Sequence, residues 1–169
     1  MKMNRTLSMA LVSFVMLMVF GCGAYRHHLI SGKVTDSYIK QPDGKMLVKY
    51  TRLYADASGV SHFEDIVVEL KSLPFAPPAP PADVSTPTPA SQFLFLLLKP
   101  GWYGDWHPAP RRQMMLLVAG ECEVQVGDGE IRRVGPGSIS LVEDITGKGH
   151  TTRVISNVNV LFAVVQLPD

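Results

Sequence analysis

Cysteine, net charge and long hydrophobic runs are all scarce in this 169-residue chain. Two cysteines, Cys22 and Cys122, cannot make a disulfide framework, so stability must rest on a packed core. Sixteen basic against fifteen acidic side chains leave a formal charge of +1, without the field that would draw nucleic acid or an anionic membrane surface. Nucleic acid is therefore not an expected partner. The longest apolar run, Leu7 to Phe20, counts 14 residues with two serines among them, short of the roughly 20 that span a bilayer as a helix. No stretch carries a sustained helical stripe. Nor does the sequence hold a phosphate-cradling loop, a nucleophile elbow, zinc-finger spacing or a Ser/His/Asp order. What remains is room for one domain of ordinary size, with 46% apolar residues to build its core.

Lys2 and Arg5 precede the apolar run, the order of an export signal. The run closes on Val19, Phe20, Gly21 and Cys22, which resembles a bacterial lipobox, with Phe20 where a small residue is usual. That resemblance implies lipidation at Cys22 and an exported protein anchored to a membrane. The alternatives are a cleaved signal without lipid, or a cytoplasmic protein whose true start is Met46. Residues 1–22 thus read as the signal segment. Residues 23–44, with Gly, Ser, Asp and Pro but little periodicity, read as a tether.

From Lys45 to Asp169 the pattern is all-β. Met46, Val48 and Tyr50 alternate with Lys45, Lys49 and Thr51, and Cys122, Val124 and Val126 alternate with Glu121, Glu123 and Gln125. Each first-named set is expected to face inward, with Cys122 a buried, inert thiol. Phe93 to Leu98 is a continuous apolar run, as expected of a strand covered on both faces, and Val158 to Leu167 closes the chain with a second core strand. Gly127, Asp128 and Gly129 supply a tight hairpin, and Gly135, Pro136 and Gly137 the next turn. Such spacing suggests a sandwich or barrel. Pro74 to Pro89 holds seven of the thirteen prolines. The segment 74–92 reads as a stiff strap without ladder hydrogen bonds, lying on the barrel or offered to a partner domain, and separating a small N-terminal β extension from the barrel.

The stretch GWYGDWHPAPRRQMMLLVAG, Gly101 to Gly120, resembles the first motif of the cupins: Gly101, five residues, His107, a ligand position at 109, an acid position at 113, six residues, Gly120. The turn Gly135 to Gly137 and His150 stand as counterparts of the second motif, so the likeness runs from about Phe93 to Val165. It implies a double-stranded β-helix, or jelly-roll barrel. Metal-binding cupins bring two His and a Glu from the first motif and a third His from the second, for iron, manganese, nickel or zinc. Here Ala109 and Gln113 take two of those places, the spacing from Gly137 to His150 is longer than usual, and the expected proline is absent. His107, Gln113 and His150 are then the candidate metal ligands, a weakened set because an amide oxygen is a poor donor without charge. Glu143, Asp144, Asp105 and Glu64 are the acids available to complete it.

Three readings follow. The first is a barrel binding or sensing a small molecule, its pocket lined by Trp102, Trp106, Arg111, Gln113 and Glu143, with the aromatics as a stacking surface and an Arg fork for a carboxylate or phosphate. The second is an enzyme with His107 and His150 as catalytic groups. It is either a metal-dependent dioxygenase type or a metal-free isomerase or cyclase, with Glu143 or Asp144 orienting one ring. The third is a structural role as a homodimer joined at the barrel edge. Arg132 and Arg133 read as solvated hairpin residues, and His62 to Asp65 as a turn with surface charges.

Overall fold

The computed structural model describes residues 37–168. The signal segment, Cys22 and most of the expected tether lie outside them. All regular structure among the described residues is strand. First come β1 (Tyr38–Lys40), β2 (Met46–Ala55) and β3 (Ser61–Glu69), then the short β4 (Lys71–Leu73) and β5 (Ala82–Val84). Eight further strands follow: β6 (Gln92–Leu98), β7 (Tyr103–His107), β8 (Gln113–Ala119), β9 (Cys122–Gln125), β10 (Ile131–Val134), β11 (Ile139–Glu143), β12 (His150–Val154) and β13 (Val160–Gln166).

These last eight are divided equally between two sheets, switching sheet at every step except the β9–β10 hairpin. One runs β6, β13, β8, β11 in space and the other β7, β12, β9, β10, and every pairing among them is antiparallel. That order is two interleaved Greek keys, the jelly roll. β2 extends the first sheet by lying parallel to β11, with Thr51 beside Ser140 and Leu53 beside Val142. β3 pairs with the far side of β2 over its whole length, so the N-terminal β extension is a wall of the barrel.

The inner faces meet in a cluster of Leu98, Leu117, Cys122, Val154, Val160, Phe162 and Val164. Alternation on β13 places Val160, Phe162 and Val164 inward between β6 and β8. The alternation of Cys122, Val124 and Val126 is likewise inward: Cys122 and Val126 are fully buried, and burial pushes the Cys122 thiol up to about 12. The Val126 to Glu130 turn closes through Gly129 with φ +95°, as the glycine pattern predicts.

Four expectations need correction. On β2 the cavity-facing set is Thr51 and Leu53, so Met46, Val48 and Tyr50 lie on the opposite face: pairing with β11, not the apolar alternation, sets the parity. The end of the expected tether is structured, because β1 pairs with β2 from Tyr38 beside Val48 to Lys40 beside Met46. The proline-rich segment does make ladder bonds, with Lys71, Ser72 and Leu73 opposite Val84, Asp83 and Ala82. It does not lie on the barrel either, since residues 71–91 are exposed except for half-buried Val84. Finally, β6 is an edge strand covered on one face only, with Leu98 buried and Phe93, Phe95 and Leu97 exposed.

Candidate functional site

His107 ends β7 and His150 opens β12, and the two residues stand directly opposite each other. Gly149 makes this approach possible. It sits at φ +75°, and a Cβ there would run into the carbonyl of His107, so a side chain at 149 would push the strands apart. The two imidazole rings lie 4.7 Å apart between centroids, tilted by 49°. The Nδ1 of His107 donates to the Asp105 carbonyl (2.6 Å), and because a carbonyl only accepts, that nitrogen carries the proton. The Nδ1 of His150 donates to Asp144 Oδ2 (2.6 Å), with Asp144 fully buried and its Oδ1 without a partner. The Ala109 N–H in turn donates to the Asp144 carbonyl, which ties the loop after β7 to this carboxylate. In each ring Nε2 is the nitrogen that this hydrogen bond leaves open.

Both rings line a cavity of about 320 Å³ between the sheets. Its wall is predominantly apolar, built by side chains such as Leu53, Phe63, Leu96, Met115, Val142 and Phe162. Trp102 and Gln113 also line it. Ala109, where metal-binding cupins place a second His, is buried in the same wall. The motif positions thus fall on β7, the following turn, β8 and the first residue of β12, all on one cavity. With the strand order already described, this decides the architecture. The fold is cupin-like.

No family model matches the chain, and no curated protein matches it. Among solved structures it is similar to the Cupin_2 domain of an XRE family transcriptional regulator from Enterobacter cloacae, with 25% identity over 46% of this chain and 81% of that one, at a TM-score of 0.34. It is also similar to the Cnp3 cupin domain of Schizosaccharomyces pombe, with 14% identity, 72% and 88% covered, and a TM-score of 0.37. A third is the conserved protein SPY1581 of unknown function from Streptococcus pyogenes, at 19% identity and a TM-score of 0.35. This chain covers 64% of that protein and the match takes in 46% of this one. These overlaps are partial, and the architecture rests on the strand order.

In this cupin-like barrel the expected site residues separate into two groups. His107, His150, Gln113 and Trp102 come together on the cavity. Trp106, Arg111 and Glu143 do not line it. The Trp106 ring carries the Lys148 ammonium 3.6 Å above it, a cation–π contact. Arg111 is exposed in the turn before β8. Glu143 follows Val142 on β11, and since Val142 faces inward its neighbour faces out. There it accepts from Arg52 Nε at 2.7 Å and from Arg112 Nη2 at 2.6 Å. Burial pushes the Glu143 carboxyl up, but the hydrogen bonds from Arg52 and Arg112 outweigh it and hold the group below its usual range. Asp144 is therefore the acid that orients a ring.

Arg132 also departs from its expected role. Its guanidinium donates to Asp65 (2.7 Å) and to Glu130 (2.6 Å) and lies 4.8 Å from the centre of the Phe63 ring. It closes the barrel between β10 and the β2–β3 wall, while Arg133 remains exposed. The sequence signal for this was a charged residue in a strand, which could equally be a solvated one.

The donor set does not fit a cupin metal site. Among the described residues no group of three or more His, Cys, Asp or Glu gathers to hold an ion. Two imidazoles and the Gln113 amide remain, and the acids that might have joined them are engaged elsewhere. Asp144 is on His150, Glu143 on two arginines, Glu64 on Arg52 (3.0 Å), and Asp105 on the Trp106 N–H (2.8 Å). No chemical step is drawn through a metal.

Proposed function

We propose that this barrel binds a small, largely apolar molecule whose one polar head sits on His107 and His150. The observation that carries the reading is the pair of facing imidazoles in a mainly apolar cavity, each with Nδ1 engaged and Nε2 left for a ligand. A cavity of about 320 Å³ lies at the small end of the roughly 300–1,000 Å³ usual for ligand pockets. An apolar wall favours an aromatic or short-chain body, and two imidazole Nε2 atoms, each an acceptor in the neutral ring and a donor in the charged one, favour a carboxylic, keto or phenolic head. Gln113, Arg132, Arg133 and Ser140 also line the cavity and add polar partners besides the two rings.

The test is the melting temperature of the protein across a panel of aromatic acids, keto acids and sugars. The acids are expected to raise it in a concentration-dependent way, by roughly 2.7 kcal/mol of stabilisation at a hundredfold excess over Kd. His107→Ala and His150→Ala should each remove most of the shift. A shift that survives both substitutions, or none with any compound, sinks the reading.

The buried Asp144 behind His150 favours a second reading, proton transfer at His150 Nε2. A carboxylate fixing Nδ1–H leaves the opposite nitrogen as a base aimed at the bound molecule. For a bound keto acid, a proton on the carbon beside the ketone would pass to Nε2, the C–H pair moving onto the carbonyl oxygen as an enolate, and a solvent-derived proton would return to that carbon. The measurable sign is deuterium entering that carbon in D2O, lost in Asp144→Asn although the melting shift persists. Exchange at an unchanged rate in Asp144→Asn rejects this role.

A further inference from the structure

The cavity has a second polar end, away from the two imidazoles. Arg132 on β10 stands beside Val124 on β9, and Val124 beside Thr152 on β12. All three line the cavity together with His150, and Thr152 follows His150 by two residues on the same face of β12. Two strand steps of about 4.8 Å and two residues of about 3.3 Å put the backbones of Arg132 and His150 about 12 Å apart. On the opposite sheet Ser140 stands beside Thr51, and both line the cavity as well. Thr51 Oγ1 accepts from Arg132 Nη1 at 3.4 Å, which brings the guanidinium and the Ser140 hydroxyl to one end of the space. The wall around that space is mainly apolar, with Val124, Met115, Phe162 and Val164 in it.

We infer that Arg132 holds the far end of the bound molecule, so that the ligand is two-ended: a head on His107 and His150, an apolar body, and a neutral hydrogen-bond acceptor on Arg132. This deepens the binding reading above and rests on it. The guanidinium has one nitrogen to give. Its Nε donates to Glu130 (2.6 Å) and its Nη1 to Asp65 (2.7 Å) and Thr51, while Nη2 has no partner among the described residues. Phe63, also on the cavity wall, lies 4.8 Å from the guanidinium carbon. With the ring and two carboxylates the group is held before a ligand arrives, so little side-chain entropy is lost on binding. The Ser140 hydroxyl at the same end is a second donor. Charge decides the kind of group that fits. Asp65 and Glu130 already meet the guanidinium, and Lys49, 2.9 Å from Asp65, offsets only one of them. A carboxylate placed there would face charges of its own sign, whereas a ketone, ester or amide oxygen takes the hydrogen bond without that cost. Side chains reaching in from both ends leave room for one ring or a short chain between the polar groups.

The test compares para-substituted benzoates of nearly equal size by isothermal titration calorimetry on the full chain. The compound 4-acetylbenzoate carries the acceptor, 4-isopropylbenzoate has its shape without the acceptor, and terephthalate carries a second charge. Wild type is expected to bind 4-acetylbenzoate more tightly than terephthalate. Arg132→Met should shift the ratio of Kd values for the acetyl and isopropyl compounds by about tenfold in favour of the isopropyl one, a double comparison in which a general loss of fit cancels. Ser140→Ala, which leaves the Arg132 bridges intact, should shift the ratio in the same direction by a smaller factor, and guards against a barrel loosened at Arg132. His107→Ala should weaken both compounds by the same factor, since it acts at the other end. A ratio unchanged in Arg132→Met and Ser140→Ala, while His107→Ala weakens both compounds, overturns the inference and leaves the binding reading standing. Terephthalate binding more tightly than 4-acetylbenzoate overturns the neutral acceptor. Binding of no compound, or binding indifferent to His107→Ala, overturns the binding reading and the far end with it.

Discussion

Besides the short β1, the first sheet ends in two long edge strands, β3 and β6, and they are built by opposite rules. β3 carries His62, Glu64, Asp65 and Glu69, each with a partner: His62 with Asp56 and Asp128, Glu64 with Arg52, Asp65 with Lys49 and Arg132, Glu69 with Lys45. A neighbouring strand would have to strip water and partners from these charges, so that edge is closed to pairing. β6 holds only Gln92 as a polar residue in a seven-residue strand. One edge thus carries partnered charge and the other an exposed apolar row, Phe93, Phe95 and Leu97.

The largest effect expected from testing this contrast separates the buried face of the sheet from its exposed one. Phe162 and Phe95 lie on adjacent strands of one sheet, but Phe162 is buried in the core cluster and Phe95 is on the exposed face. Phe162→Ala should cost about 3–5 kcal/mol in urea unfolding. Phe95→Thr should cost less than about 1 kcal/mol in the same assay. Equal losses from the two would mean that β6 belongs to the core after all. The next effect lies on the charged side. Arg132→Met keeps an apolar stem over Phe63 but removes the bridges to Asp65 and Glu130, and should lower stability by about 1–2 kcal/mol in the same assay. No loss would mean the barrel closes there without it.

How much of this was legible in the sequence depends on which residues are asked. The inward alternation of Cys122, Val124 and Val126, the glycine turns and the closing β13 strand were readable because local pattern and tertiary role agree. The run Phe93 to Leu98 was not, since a continuous apolar strand looks the same whether its second face is covered by its own chain or left for another. Parity failed on β2 because both faces of that strand are half-apolar and only the pairing with β11 chooses between them. At the site, His107 and His150 came from motif spacing. The choice between Glu143 and Asp144 needed the inward face of β11, and once Val142 is known to point in, Glu143 must point out.

The smallest expected effect concerns the charged edge and pH. His62 links the turn after β2 to the turn after β9, with Nδ1 2.7 Å from Asp128 and Nε2 3.2 Å from Asp56. Hydrogen bonds to Asp56, then to Asp128, hold its pKa above the ordinary value. The folded state therefore binds this proton more tightly than the unfolded chain. Its stabilisation is complete below about pH 6.5 and fades as pH rises through the raised folded value. Both carboxylates are held low, Asp56 first by the Ser58 hydroxyl and Asp128 first by the Glu130 N–H. Their share is present above about pH 3.9 and is lost as pH falls through the lowered values. The cluster thus works best between about pH 4 and 6.5. The drop in melting temperature caused by His62→Gln should be greatest near pH ~5.5 and shrink by pH ~8.5. The small drop caused by Phe95→Thr should show no such dependence, because nothing that titrates changes there. If the His62→Gln deficit is flat or grows with pH, His62 is not held as a doubly bonded cation, and this part of the charged edge is protected by some other means.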